Sequence, residues 1–164
     1  MMTAVIQKKR LQYEEENLID NANQLPPNCS YKKMSDLAYV VQYIGEKGTP
    51  FEGAYIVVDI DLSDSNGSLG FPEQCPKITF RNNFQHLNVD SNGKLHTDII
   101  NKETFNNGTT LLEIFIQINY IIYHPSYVEP INKNLLEIKV LGFDFDDWMQ
   151  GQSMKLRDLK YKVL

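Results

Sequence analysis

The sequence has few of the residues that build metal sites and disulfide frameworks. Its 164 residues include two cysteines, three histidines and one tryptophan. Cys29 and Cys75 do not match a paired zinc-binding spacing, and two cysteines are too few for a disulfide-rich domain. We therefore expect two reduced thiols that act as small buried hydrophobic side chains, with no metal and no organic cofactor.

Positive charge and long apolar runs are also scarce. The formal net charge is −5, the isoelectric point is near 5.2, and the only dense basic run is Lys8-Lys9-Arg10. Such a chain is not expected to bind nucleic acid. Residues 111–122 form the longest apolar stretch, which is too short and too interrupted to span a bilayer, and residues 1–25 lack a signal-peptide core. These features predict a soluble protein of the cytoplasm or the nucleus.

The first predicted element is an amphipathic helix over residues 3–20. We expect Ile6, Leu11 and Leu18 on its apolar side and Glu14-Glu15-Glu16 in solvent. Pro26-Pro27 closes the segment because proline does not continue a helix.

An antiparallel sheet is predicted next. Strand patterns cover residues 37–44, 55–62 and 77–80, with a turn at Gly48-Thr49-Pro50 between the first two. Strands in this close succession are expected to form an antiparallel meander. After Phe84 the chain is irregular and rich in Asn and Gly, which favours a functional loop.

A buried helix is predicted after this loop. Thr109 or Thr110 is its expected N-cap, and Pro125 is expected to end it. The apolar residues that recur at helical spacing between them are Leu111, Ile114, Phe115, Ile118, Ile121 and Ile122. Residues 135–141 could be strand or helix, and residues 149–164 resemble a second amphipathic helix. The order of elements predicts an α+β fold in one domain over 1–164, with a core of about 5–131 and a divergent tail over 132–164.

Four motifs follow one another at defined spacing. They are the run Gly48–Gly53, the run Phe71–Ile78, the loop His86-Leu87-Asn88 with His96 eight residues after Asn88, and the run His124–Pro130. In the same order they resemble the Pro-Tyr-x-Gly-Gly turn, the Tyr-Pro-x-x-Pro-Pro-Lys-Val segment, the His-Pro-Asn loop with its cysteine, and the Asp-Pro-Asn-Pro-x-Asp-Pro loop of ubiquitin-conjugating enzymes. The chain is identified as a member of that family over about residues 7–131. The resemblance implies a further strand that begins at Cys29 and makes the meander four-stranded.

The resemblance places His96 where the family has its acceptor cysteine, which carries ubiquitin as a thioester. A thiolate is a strong nucleophile and its thioester resists hydrolysis, and an imidazole does not combine these two properties. No catalytic residue is therefore expected. The remaining site would be a vestige, formed by His86, Asn88, His96, Asp98 and Glu129.

Individual residues of this vestige have alternative interpretations. Asn88 matches a residue that supports the oxyanion or its loop, and we favour a side chain that pins the loop through backbone hydrogen bonds. Glu129 matches an acid that flanks the attacking lysine. Leu87 replaces a proline and is expected to loosen the turn. Two histidines on one loop do not make a metal site, and neither cysteine is expected to reach the loop.

The resemblance also implies binding surfaces. Glu73 and the run Asn106-Asn107-Gly108 stand where the family docks its ligases, and a carboxylate in place of an apolar anchor makes ordinary docking unexpected. Lys8, Lys9 and Arg10 match a helix that contacts the activating enzyme, or they form a solvated helix face. Ser30 matches a position where some members bind ubiquitin non-covalently, or it is an ordinary strand-edge serine.

Three functions remain open. The chain could be a silent variant that acts beside an active conjugating enzyme or as a ubiquitin-binding adaptor. It could be an enzyme of weak or atypical conjugating activity. It could also be a ubiquitin-independent adaptor of the fused-toes type, in which a Cys-Pro pair before the strand resembles Cys75-Pro76.

Overall fold

The computed structural model describes residues 3–49, 51–97 and 100–126. Its elements are α1 (Ala4–Asp20), a short 3-10 turn (Ala22–Gln24), β1 (Cys29–Ser35), β2 (Ala38–Ile44), β3 (Tyr55–Asp61), β4 (Lys77–Phe80) and α2 (Leu111–Tyr123). The predictions made for Pro50, Asp98, Glu129 and the two tail segments lie outside the described residues.

The four strands form one sheet in the order β1-β2-β3-β4, and each strand is antiparallel to the next. The predicted meander and the α+β class are therefore confirmed. Val41 pairs with Val58 in the middle of the sheet. Because side chains alternate along a strand, this register turns one whole face of the sheet to the core. That face carries Tyr39, Val41, Tyr43, Ile56, Val58, Ile60, Ile78 and Phe80.

Helix α2 supplies the other half of the core. Seven of its residues are buried, including the six predicted to be apolar at helical spacing. Thr110 caps the helix: its hydroxyl accepts from the Glu113 N–H at 3.1 Å, and the Glu113 carboxylate accepts from the Thr110 N–H at 2.9 Å. The Tyr43 hydroxyl donates to the Phe115 carbonyl at 2.7 Å and ties the helix to β2. No helix in the described ranges is long and apolar enough to cross a membrane.

The buried side of α1 differs from the predicted one. Leu11 and Leu18 pack on the core, but Ile6 is 49% exposed and Glu14 is fully buried. One oxygen of Glu14 accepts from the backbone N–H of Leu111 at 2.9 Å. The prediction that Glu14 is exposed is wrong because its carboxylate satisfies an N–H group in the first turn of α2, which has no partner within that helix.

Arg10 completes the link between α1 and the chain before α2. Its guanidinium donates to the other oxygen of Glu14 at 2.8 Å and to the carbonyl oxygens of Asn107 and Thr109. It also lies 5.0 Å from the ring centroid of Phe71. Arg10 is therefore not part of a solvated basic face, and its assignment as a partner-binding residue stays a prediction. Lys8 and Lys9 are exposed.

Removal of the buried carboxylate should destabilise the fold. We expect Glu14→Ala to lower the free energy of unfolding by about 3 kcal/mol, because the Arg10 guanidinium and the Leu111 N–H both lose a buried acceptor. Urea unfolding measures this loss. Glu16→Ala, at an exposed position of the same helix, is the control and should change the value by no more than about 0.5 kcal/mol. Equal effects of the two variants would contradict the assignment.

Candidate functional site

The loop after Phe84 is fixed along the free edge of β4. The Phe80 N–H donates to the Gly93 carbonyl at 2.7 Å, and the Leu95 N–H donates to the Ile78 carbonyl at 3.2 Å. Gly93 has a φ of +83°, and a Cβ at this position would lie 2.2 Å from the Phe80 oxygen. Glycine is therefore required where the loop returns to the sheet.

His86 is a structural residue of this loop. Its ring is 1% exposed, its Nδ1 accepts from the Asn88 N–H at 3.0 Å, and its Nε2 lies 2.9 Å from the Ile121 carbonyl. Since Nδ1 accepts, the proton of the neutral ring resides on Nε2, which donates to α2. Burial lowers the pKa of His86 to about 4, so the ring is neutral at physiological pH.

Leu87 anchors its turn by burial. It is 1% exposed and packs in the core. The Val89 N–H donates to the His86 carbonyl at 3.1 Å and closes the turn. The expectation that the missing proline loosens this turn stays a prediction.

Asn88 joins the loop to the segment after α2. Its side-chain oxygen accepts from the Ser126 N–H at 2.8 Å, and its side-chain nitrogen donates to the Ser126 carbonyl at 3.1 Å. The residue is 2% exposed. This geometry agrees with the interpretation of Asn88 as a side chain that pins the loop, because both the oxygen and the nitrogen of its carboxamide are hydrogen-bonded to the backbone of Ser126.

His96 is held at the rim of the loop by a carboxylate. Its backbone N–H donates to the Asn88 carbonyl at 2.7 Å, and its Nε2 lies 2.8 Å from Oδ2 of Asp90. The other Asp90 oxygen accepts from the N–H groups of Asn92 and Lys94. The hydrogen bond from His96, followed by these backbone donors, holds the pKa of Asp90 below its usual range. An ionised Asp90 thus orients the imidazole of His96.

Sequence reasoning did not identify Asp90. The signal was present in the run Asp90-Ser91-Asn92-Gly93, whose composition is typical of a turn in which the first side chain bonds to following N–H groups. In the described parts of the chain, His, Cys, Asp and Glu side chains do not group in threes or more as a metal site requires.

A groove of about 460 Å³ lies beside His96. Its walls come from the start of β4, from the loop residues Asn88 and 94–97, from residues 100–103, and from Ser126. Cys75 and His96 both line this groove. The expectation that neither cysteine reaches the reaction loop stays a prediction.

Neither thiol is chemically activated. Burial raises the pKa of Cys75 above its ordinary value and that of Cys29 to about 12. Both thiols are therefore protonated at neutral pH and are weak nucleophiles. Both are partly buried and pack against the core, as small hydrophobic side chains do.

The predicted partner residues lie on separate surfaces. Ser30 is exposed on β1, the strand at the opposite edge of the sheet from β4. Glu73 is exposed two residues before Cys75. Asn106 and Asn107 are exposed in the loop before α2, where Arg10 binds the Asn107 carbonyl. The structure thus groups His86, Asn88 and His96, and it separates them from Ser30.

A sequence model of the ubiquitin-conjugating enzyme family matches residues 10–139. The match covers most of the chain and includes the sheet, the loop that carries His96 and α2. The chain therefore belongs to the ubiquitin-conjugating enzyme family, and this membership relates it to the ubiquitin pathway.

The burial of His86 predicts a pH dependence of stability. Its folded pKa lies near 4 and its unfolded value near 6.5, so below pH 6.5 the unfolded chain binds a proton that the folded chain does not. Stability should fall as the pH drops from 6.5 towards 4, by roughly 3 kcal/mol from this group. Urea unfolding at several pH values measures the slope.

Two variants isolate the contribution of His86 to this slope. His86→Gln should be less stable at pH 7 but should show a flatter dependence between pH 6.5 and 4, because the titrating ring is gone. His124→Gln, at an exposed position, should keep the wild-type slope. An unchanged slope in His86→Gln would rule out the depressed pKa.

Proposed function

We propose that this chain is a catalytically silent member of its family that acts as a non-covalent cofactor or adaptor in ubiquitin conjugation. An active conjugating enzyme or ubiquitin itself is the proposed partner. The observation that carries the proposal is His96, which stands eight residues after Asn88 where the family has its cysteine and whose ring is bonded to Asp90.

The chemistry of acyl transfer supports this proposal. A conjugating enzyme attacks the thioester of the activating enzyme with a thiolate, releases the activating enzyme's thiol, and holds ubiquitin as a new thioester. Attack by the imidazole of His96 would instead form an acyl-imidazole, which water cleaves readily. The residues that persist around it, His86 and Asn88, are engaged in hydrogen bonds that hold the loop.

Cys75 favours a second candidate function, which is conjugation of weak or atypical kind. Its thiol lines the groove that His96 and Asn88 also line. Its raised pKa opposes this candidate, because the thiolate fraction at neutral pH is small. The two candidates make opposite predictions for a covalent adduct.

A thioester assay separates these candidates. The full chain is incubated with activating enzyme, ubiquitin and ATP, beside an active conjugating enzyme as positive control, and we expect no adduct that reducing agent removes. His96→Cys should form at most a weak adduct and should not restore full transfer, because Leu87 and Glu73 still depart from the family pattern. A wild-type adduct that disappears in Cys75→Ser would establish the second candidate and reject the first.

The exposed edge of the sheet around Ser30 is the surface that we propose for ubiquitin. Ser30 pairs with Gln42 across the first two strands, and its side chain is exposed. Ile44, two residues after Gln42 on β2, is also exposed, at 38%. A small polar side chain near an exposed apolar one is suited to a weak protein contact.

Titration of isotope-labelled ubiquitin with the full chain tests this surface by NMR. We expect saturable shifts of weak affinity, with a dissociation constant between about 0.1 and 1 mM. Ser30→Arg should abolish them by adding bulk and charge to the contact, and Ser65→Arg, at an exposed loop position, should not. No shift at about 1 mM, together with no conjugating enzyme in a pull-down, would favour a ubiquitin-independent adaptor of the fused-toes type.

A further inference from the structure

The described lining of the groove beside His96 carries a charge opposite to that of the whole chain. The chain has a formal charge of −5. Among the lining residues that the structure describes, the lysines Lys77, Lys94 and Lys102 outnumber the one carboxylate, Glu103. The lysines come from three separate segments, namely β4, the loop along its edge and residues 100–103. The fold thus gathers positive charge at one concave place on an acidic protein.

Two of these lysines are available for a ligand. Lys94 and Lys102 are exposed, and in the described part of the chain neither forms an ion pair with a carboxylate. Lys94 is nevertheless well positioned, because its backbone N–H is bonded to Asp90. Lys77 lies 3.8 Å from an oxygen of Asp61, a distance at which an exposed pair is weak.

Apolar residues line the same groove between these charges. Ile78, Leu95 and Ile100 contribute to its surface and are 5%, 8% and 6% exposed. A free phosphate ion would satisfy the lysines and leave this apolar surface uncovered. A peptide that places an apolar side chain between two carboxylates would use both features.

We propose that this groove binds an acidic peptide segment of a partner protein, with carboxylates on both sides of an apolar residue. The carboxylates pair with Lys94 and Lys102, and the apolar side chain covers Leu95 and Ile100. The proposal goes beyond the function proposed above, because it requires neither ubiquitin nor a conjugating enzyme. Opposite charges at an open groove also speed association and make binding sensitive to salt.

Fluorescence anisotropy with the full chain tests the proposal. The probe is a short labelled peptide in which aspartates flank a central leucine, and the control probe carries asparagines instead. We expect saturable binding of the first probe only, weakened by added salt. The double variant Lys94→Glu and Lys102→Glu should weaken binding at least about tenfold. Lys47→Glu, a charge reversal at an exposed lysine outside the groove, should change it less than about twofold.

Three outcomes would overturn the proposal. They are no saturation up to about 1 mM peptide, equal binding of the asparagine probe, and an effect of Lys47→Glu as large as that of the double variant. Full displacement of the peptide by an equal concentration of inorganic phosphate would also overturn it, because the groove would then recognise an anion only. None of these outcomes bears on the thioester assay or the ubiquitin titration, so this inference can fail alone.

Discussion

The geometry of the site depends on the paired hydrogen bonds between the Asn88 carboxamide and the backbone of Ser126. They join the loop beside β4 to the segment that leaves α2. The His86 ring adds a second link, from the Asn88 N–H to the Ile121 carbonyl. Asn88 and His86 are buried, and each buried polar group that loses its partner costs about 1–3 kcal/mol. These hydrogen bonds tie the loop to α2 and to Ser126, and none of them uses the side chain at position 96.

This separation of architecture from chemistry supports the proposal that His96 stands in the place of the family's acceptor cysteine. The ring of His96 is 40% exposed and is hydrogen-bonded to Asp90, which belongs to the same turn. The hydrogen bonds that hold His86 and Asn88 do not include that ring. A chain in which the loop was kept and the nucleophile replaced would retain surfaces for binding, which is the basis of the adaptor function that we propose.

Much of the fold could be predicted from the sequence because its determinants are local. The apolar spacing of α2 and the cap at Thr110 lie within a few residues of each other, and the strands show their alternation directly. The four motifs at their defined spacing, which include His86, Asn88 and His96, indicated the family, and the family model matches residues 10–139.

The features that escaped prediction depend on contacts between distant segments. Glu14 appeared to be one of three exposed glutamates, but it lies 97 residues from the Leu111 N–H that accounts for its burial. Arg10 was grouped with Lys8 and Lys9 by adjacency, although its guanidinium binds the loop before α2. No local pattern encodes such pairings.

Hydrogen exchange at the Ser126 amide tests the central claim most directly. This N–H donates to the Asn88 side chain, so its protection reports whether the loop is held. We predict that Asn88→Ala removes the protection, whereas His96→Ala leaves it unchanged. Loss of protection in His96→Ala as large as that in Asn88→Ala would contradict the account, because the residue at the nucleophile position would then be part of the architecture.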